Sequence, residues 1–159
     1  MIEPHSAQEA GALIRQLDTP TLPKAKRLLE FWLAHQPDGV VIGRHVPSRE
    51  VAPLLSSLVI YEPVEDGDDW RIRLAGAALL RRFGRDVAGQ TISTLYPRDH
   101  FSILRSRAQA VVRLNAPHID EVTIRNSERT LQHFETVHLP VYAPDRLSKW
   151  DMAGYFYFP

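Results

Sequence analysis

Two periods of apolar recurrence divide this chain. Ala7, Ala10, Leu13, Ile14 and Leu17 recur at helical spacing, which predicts an amphipathic helix from Ala7 to Leu17 that ends at "DTPTLP". Leu28, Leu29, Trp32 and Leu33 form a second helical stripe after Pro23, closed by "HQPDG". An irregular stretch follows, with a helical turn near Ser48–Leu55, for which Ser48 is a suitable N-cap, and a strand near Leu58–Tyr61. From Asp66 onward the period changes to two. Trp70, Ile72 and Leu74 alternate with Arg71, Arg73 and Ala75, as expected of a strand with one buried face, and the "EDGD" link before it has the Asp-Gly pair of a hairpin loop. Short helical pieces lead to a longer helix at about Arg98–Asn115, lined by Phe101, Leu104, Ala108 and Val111. Three further strands are expected at about His118–Arg125, Leu131–Tyr142 and Met152–Phe158.

Two strands thus precede the helices and three follow them. The economical packing is an α+β domain, a five-stranded antiparallel sheet with helices over one face, preceded by N-terminal helices. At 159 residues one core is the default. We divide the chain into an N-terminal helical appendage, residues 1–21, and a domain, residues 22–159. Gly76, at the end of a strand, and Gly84 and Gly89, at a helix exit and a loop, suit sharp changes of chain direction.

Composition narrows the function classes. Apolar residues are 44% and charged residues 24% of the chain, as in ordinary globular domains. Lys plus Arg and Asp plus Glu are 19 each, so no global field draws the chain to nucleic acid or anionic lipid. The arginines Arg81, Arg82, Arg85, Arg98, Arg105, Arg107 and Arg113 do not gather on one helical face and read as a solvated surface. Without cysteine there is no disulfide, zinc-thiolate site, iron–sulfur cluster, thiol nucleophile or cysteine-based photochemistry. The start of the chain does not resemble a signal peptide and no apolar stretch is long enough to span a membrane, so a cytoplasmic location is expected. "GAALLRRFG" is neither phosphate-loop pattern, and G-x-S-x-G and H-E-x-x-H are absent, so no enzyme class is indicated.

The order of elements, with "RIRLAG" leading into a helix and "FGRDVAGQTI" leaving it, resembles a PAS domain, and more narrowly the type-5 PAS family, mostly alphaproteobacterial. The likeness runs from about Lys26 to Phe158 and rests on Leu29 and Trp32, Pro47-Ser48-Arg49 with Pro53, the Trp70–Leu74 strand with Gly76, then Gly84, Asp86 and Gly89, and Leu139-Pro140. The chain departs from the family's pattern at Ala52, where an acidic residue is usual, and at Ser57-Leu58, where Leu-Pro is usual. The resemblance implies a sensory or adaptor module. The last expected strand runs directly into the final "YFYFP", so such a module would signal to a protein partner in trans. The N-terminal apolar stripe is the expected homodimer contact, unless it simply caps the sheet.

Candidate chemistry is sparse. Phe83, Tyr96, Phe101, Leu104, Tyr155 and Tyr157 fall on elements that would enclose a space between helices and sheet, either as ordinary core or as the wall of a small-molecule pocket. His133 and Glu135 are two apart on a strand and share a face, where they serve either as polar tips of that pocket or as structural partners of neighbouring strands. No third ligand accompanies them, so no metal site is nominated. Haem-binding PAS domains use an imidazole on the helix before the third strand, where this chain has His100, one turn from the helix start. The three function classes left open are a ligand sensor, a protein-interaction module with a filled core, and a small enzyme.

Overall fold

The computed structural model describes residues 13–125 and 131–159. Six strands form one antiparallel sheet in the order β1-β4-β5-β6-β2-β3: β1 (Leu13–Leu17), β2 (Leu58–Val64), β3 (Asp69–Ala75), β4 (His118–Arg125), β5 (Leu131–Tyr142) and β6 (Lys149–Tyr157). Helices α2 (Ala77–Phe83), α3 (Ile92–Leu95) and α4 (Arg98–Leu114) lie over one face. On the other face, α1 (Pro23–Ala34) and the segment leading to β2 bury Leu28, Phe31, Trp32, Val46 and Leu54 against Leu58, Ile60, Val137, Leu139 and Met152. The α+β class and the five expected strands are present. Both faces of the sheet are covered, which is why β5 and β6 read as nearly continuous buried runs.

The sixth strand corrects the N-terminal helix. Leu13–Leu17, the second half of the expected amphipathic helix Ala7–Leu17, is extended and pairs with β4, while residues 7–12 lie outside the described residues. The open edge of β4 offers this segment a row of ladder hydrogen bonds, and Arg15, opposite Glu121, forms an ion pair with it. Tertiary pairing overrides a weak local helical pattern.

A second correction concerns β3. The expected face of Trp70, Ile72 and Leu74 is broken by a bulge: Ile60 opposes Leu74 but Tyr61 opposes Ile72, which leaves Arg73 as the extra residue. Trp70 and Ile72 face α2–α4, whereas Leu74 packs on the α1 side. The hairpin link is as expected, with Glu65, Asp66 and Gly67 all at positive φ. Ser48 caps no helix; a 3-10 helix begins later, at Ala52, without a side-chain cap.

Pro140 stands in the interior of the sheet, where proline is normally excluded. Its neighbour at the same hydrogen-bonding edge, Tyr142, bonds to the loop at Val40 and Ile42, and β4 has ended at the His118–His138 pair. The edge that proline leaves without a donor thus carries no strand. Trp32 Nε1 fills it instead, donating to the Pro140 carbonyl at 2.7 Å.

Candidate functional site

The face beneath α2–α4 is built from alternate residues of the central strands. Val59 and Tyr61 of β2, Ile72 of β3 and Ala153 of β6 pack against Leu79 of α2, Ile92 of α3, Tyr96 and, from α4, Leu104 and Ala108. Between these apolar side chains the strands insert polar ones. His138 and Asp151 are 2% and 0% exposed, and His138 Nδ1 lies 2.8 Å from Asp151 Oδ2. The Tyr61 and Tyr155 hydroxyls meet at 2.9 Å. Burial above all raises the Tyr61 phenol well above the ordinary tyrosine range, followed by the neighbouring Tyr155 and Tyr96 and, least, Asp151. The other carboxylate oxygen of Asp151, Oδ1, is buried and has no hydrogen-bond partner among the described residues. An unsatisfied buried acceptor costs about 1–3 kcal/mol, so it calls for a reason beyond packing.

A second polar group adjoins the first along β4. Asp120, 2% exposed, holds Arg107 Nε of α4 at 2.7 Å and His118 Nε2 at 3.1 Å from Oδ2. Burial alone would raise its carboxyl. The hydrogen bond with His118 and the charges of Arg107, His118 and His138 outweigh this and hold it below the usual value. This pair ties α4 to the sheet, and Arg107 is no part of a solvated arginine surface.

At the rim of the same layer, a surface cleft of about 550 Å³ is lined by Lys24 at the start of α1, Ser56 and Ser57, Ala78 and Arg81 of α2, and Tyr155 and Tyr157. Next to it, Val59, Leu79 and Tyr155 border a space of about 10 Å³, room for a single water. Tyr155 therefore borders the cleft and joins the buried polar set through its hydroxyl.

The structure brings together Phe83, Tyr96, Phe101, Leu104 and Tyr155 in this layer, with the Phe83 and Tyr96 rings edge-to-face at 5.6 Å. Tyr157 lies on the same face, 45% exposed, against Phe134. His100 of α4 sits against the Tyr96 ring at 4.4 Å. His133 and Glu135 do not join them. Both point to the α1 face, because the strand alternation that sends Phe134 and His138 toward α2–α4 sends their odd-numbered neighbours the other way. Fully buried Glu135 accepts the N–H groups of Thr21 and Leu22 at 2.9 Å each and the Thr21 hydroxyl at 2.6 Å, which caps the start of α1. His133 Nε2 lies 2.6 Å from Glu121 Oε2, and the ring stacks on Phe158 at 3.9 Å.

Tyr61, His138 and Asp151 escaped the sequence reading. Its signal was there in "VHLPVY": in a strand buried on both faces, a histidine between apolar residues must point into the opposite core. No group of three or more potential metal ligands occurs among the described residues. Nor is any helix among them long and apolar enough to cross a membrane.

No curated protein matches the sequence significantly. Among solved structures, the chain is similar to a variant of the fungal photoreceptor VVD, at 18% identity and a TM-score of 0.44, over 90% of this chain and 100% of that one. The family model described as a PAS domain, type 5, matches residues 22–151. The chain belongs to the PAS domain family.

Proposed function

We propose that this PAS domain is a sensory module that holds a small ligand between the sheet and α2–α4 and passes its state to a protein partner. The ligand would have an apolar, ring-sized body against Phe83, Tyr96, Phe101 and Leu104 and a hydrogen-bond donor directed at Asp151. The observation that supports this reading is the buried Asp151 carboxylate, oriented by His138, with one oxygen that has no hydrogen-bond partner among the described residues. A donor from a ligand would supply what the chain itself does not. The cleft ending on Tyr155 supports a route of approach from solvent. It is a binding domain in this reading, not an enzyme, and its setting is the cytoplasm.

Native mass spectrometry and an absorption spectrum of the purified chain test the ligand. We expect a retained mass that is lost on Asp151→Asn while the fold persists by circular dichroism. A protein free of added mass, whose melting temperature no small-molecule panel raises, supports instead an interaction module with a filled core.

Homodimerisation through the N-terminal segment belongs to the same proposal, with β1 in place of the second half of a helix. Its support is the position of β1 at the end of the sheet, with Leu13 and Ile14 exposed. Removal of residues 1–20 should convert a dimer to a monomer by mass in solution. An unchanged dimer, or a monomer before and after, removes this part.

A further inference from the structure

A separate cluster of donors lies on the opposite side of the molecule from α2–α4, where α1 ends. A cleft of about 430 Å³ is lined there by His35 and Gln36, Asp38, Val41, Arg44, His45 and Arg146. From its geometry we propose that this cleft binds a small oxyanion, the phosphate or carboxylate group of a soluble metabolite, between Arg44, Arg146 and the His45 imidazole.

The first support is the fixed tautomer of His45. Its Nδ1 accepts the Val41 N–H at 2.8 Å, so in the neutral ring the proton is on Nε2, which is then a donor and unable to ligate a metal. His35 is set the other way round, its Nδ1 lying 2.8 Å from the Phe31 carbonyl and therefore carrying the proton. The two rings meet at 4.6 Å. A neutral His45 thus offers one N–H, from Nε2.

The second support is that the arginines stand on closed loops. Arg44 lies in a tight turn in which Gly43 N–H bonds Val46 O at 2.8 Å and His45 N–H bonds Val41 O at 2.8 Å. Arg146 adopts a left-handed φ of 64° inside a turn, where its own N–H bonds Ala143 O and Asp145 accepts the N–H groups of Leu147 and Ser148. The loops are joined through Tyr142, whose N–H bonds Val40 O and whose carbonyl accepts the Ile42 N–H. Neither guanidinium has an ion-pair partner among the described residues. Two guanidinium forks on pinned backbone suit an oxyanion better than flexible lysines would.

The third support is electrostatic. Burial lowers the His45 pKa, and His35, Arg44 and Arg146 lower it further, with Glu50 alone opposing. Asp38 also lines the cleft, and its negative charge opposes an anion on its own side, so the proposed seat is the side of Arg44, His45 and Arg146. A bound anion would relieve this crowding of positive charge, and by linkage it would raise the His45 pKa.

The test is an imidazole NMR titration of the full chain with inorganic phosphate and, separately, succinate, at constant ionic strength. We expect a saturable rise in the His45 pKa with at least one of them, which identifies the group bound, while buried His138 does not respond. The Arg44→Gln/Arg146→Gln double variant, both sites exposed and so expected to fold, should lose affinity by about tenfold or more. A flat titration with both anions overturns the proposal, as does the same rise in the double variant or an equal rise with chloride. These outcomes are independent of any ligand at Asp151.

Discussion

Glu135 Oε2 accepts both the backbone N–H and the hydroxyl of Thr21, at 2.9 and 2.6 Å, so the central strand β5 holds the first residues before α1 by a single carboxylate. No side chain of the helix itself caps its start. The cap comes from 113 residues further along the chain, and a negative group there also suits the positive end of the helix dipole.

Glu135→Ala should therefore cost about 3 kcal/mol, because it strands three donors at the edge of a core instead of removing one exposed contact. Glu135→Gln should cost less but still over about 1 kcal/mol, since its amide turns a donor toward donors. Urea denaturation of both variants measures this. A loss below about 0.5 kcal/mol for the alanine variant would show that water replaces the carboxylate without penalty.

Gly76 and Gly84 frame α2 for different physical reasons. Gly84 is the left-handed residue after the helix, at φ 69°, with open space where a Cβ would stand. Gly76 has an ordinary φ, but a Cβ there would strike the backbone of Leu55 and Ser56, closer than real carbons approach. Gly84→Ala should cost about 1 kcal/mol. Gly76→Ala should cost more, about 2–4 kcal/mol, because the 3-10 helix at Ala52–Ser57 must move with it. Melting temperatures in the reverse order would refute this assignment.

Much of the sheet is legible in the sequence because period-two alternation and turn residues are local signals, as at Trp70–Ile72 and Glu65–Gly67. What is not legible depends on distant partners. Leu13–Leu17 becomes a strand only because β4 presents an open edge, and Leu74 changes face through a bulge that no alternation count reveals. The candidate site divides the same way. The aromatics Phe83, Tyr96, Phe101 and Tyr155 follow from their elements, but strand alternation sends His133 and Glu135 to the opposite face, and from Phe134 to Val141 β5 is buried on both sides. In such a strand polarity no longer distinguishes inside from outside, and His138 and Asp151 are hidden by the very runs that mark the core.

Asp120 gives the fold an acid limit. In the unfolded chain its carboxyl titrates near the ordinary value of 3.8, and in the folded protein lower. The unfolded state therefore binds more protons in the interval between the two. The stabilisation from Asp120 is complete above about pH 5 and is lost as the pH falls through the folded value. Arg107, 20% exposed, is the partner whose removal isolates this contribution. Arg107→Gln should destabilise the protein at neutral pH by about 2–4 kcal/mol, since it leaves a buried carboxylate with His118 alone. Its stability should also fall less steeply below about pH 4, because its Asp120 carboxyl is no longer held as low. Urea midpoints across the acid range measure both effects. A variant that loses stability equally at every pH would show that Arg107 serves by packing its aliphatic stem on the sheet, with its charge playing no part.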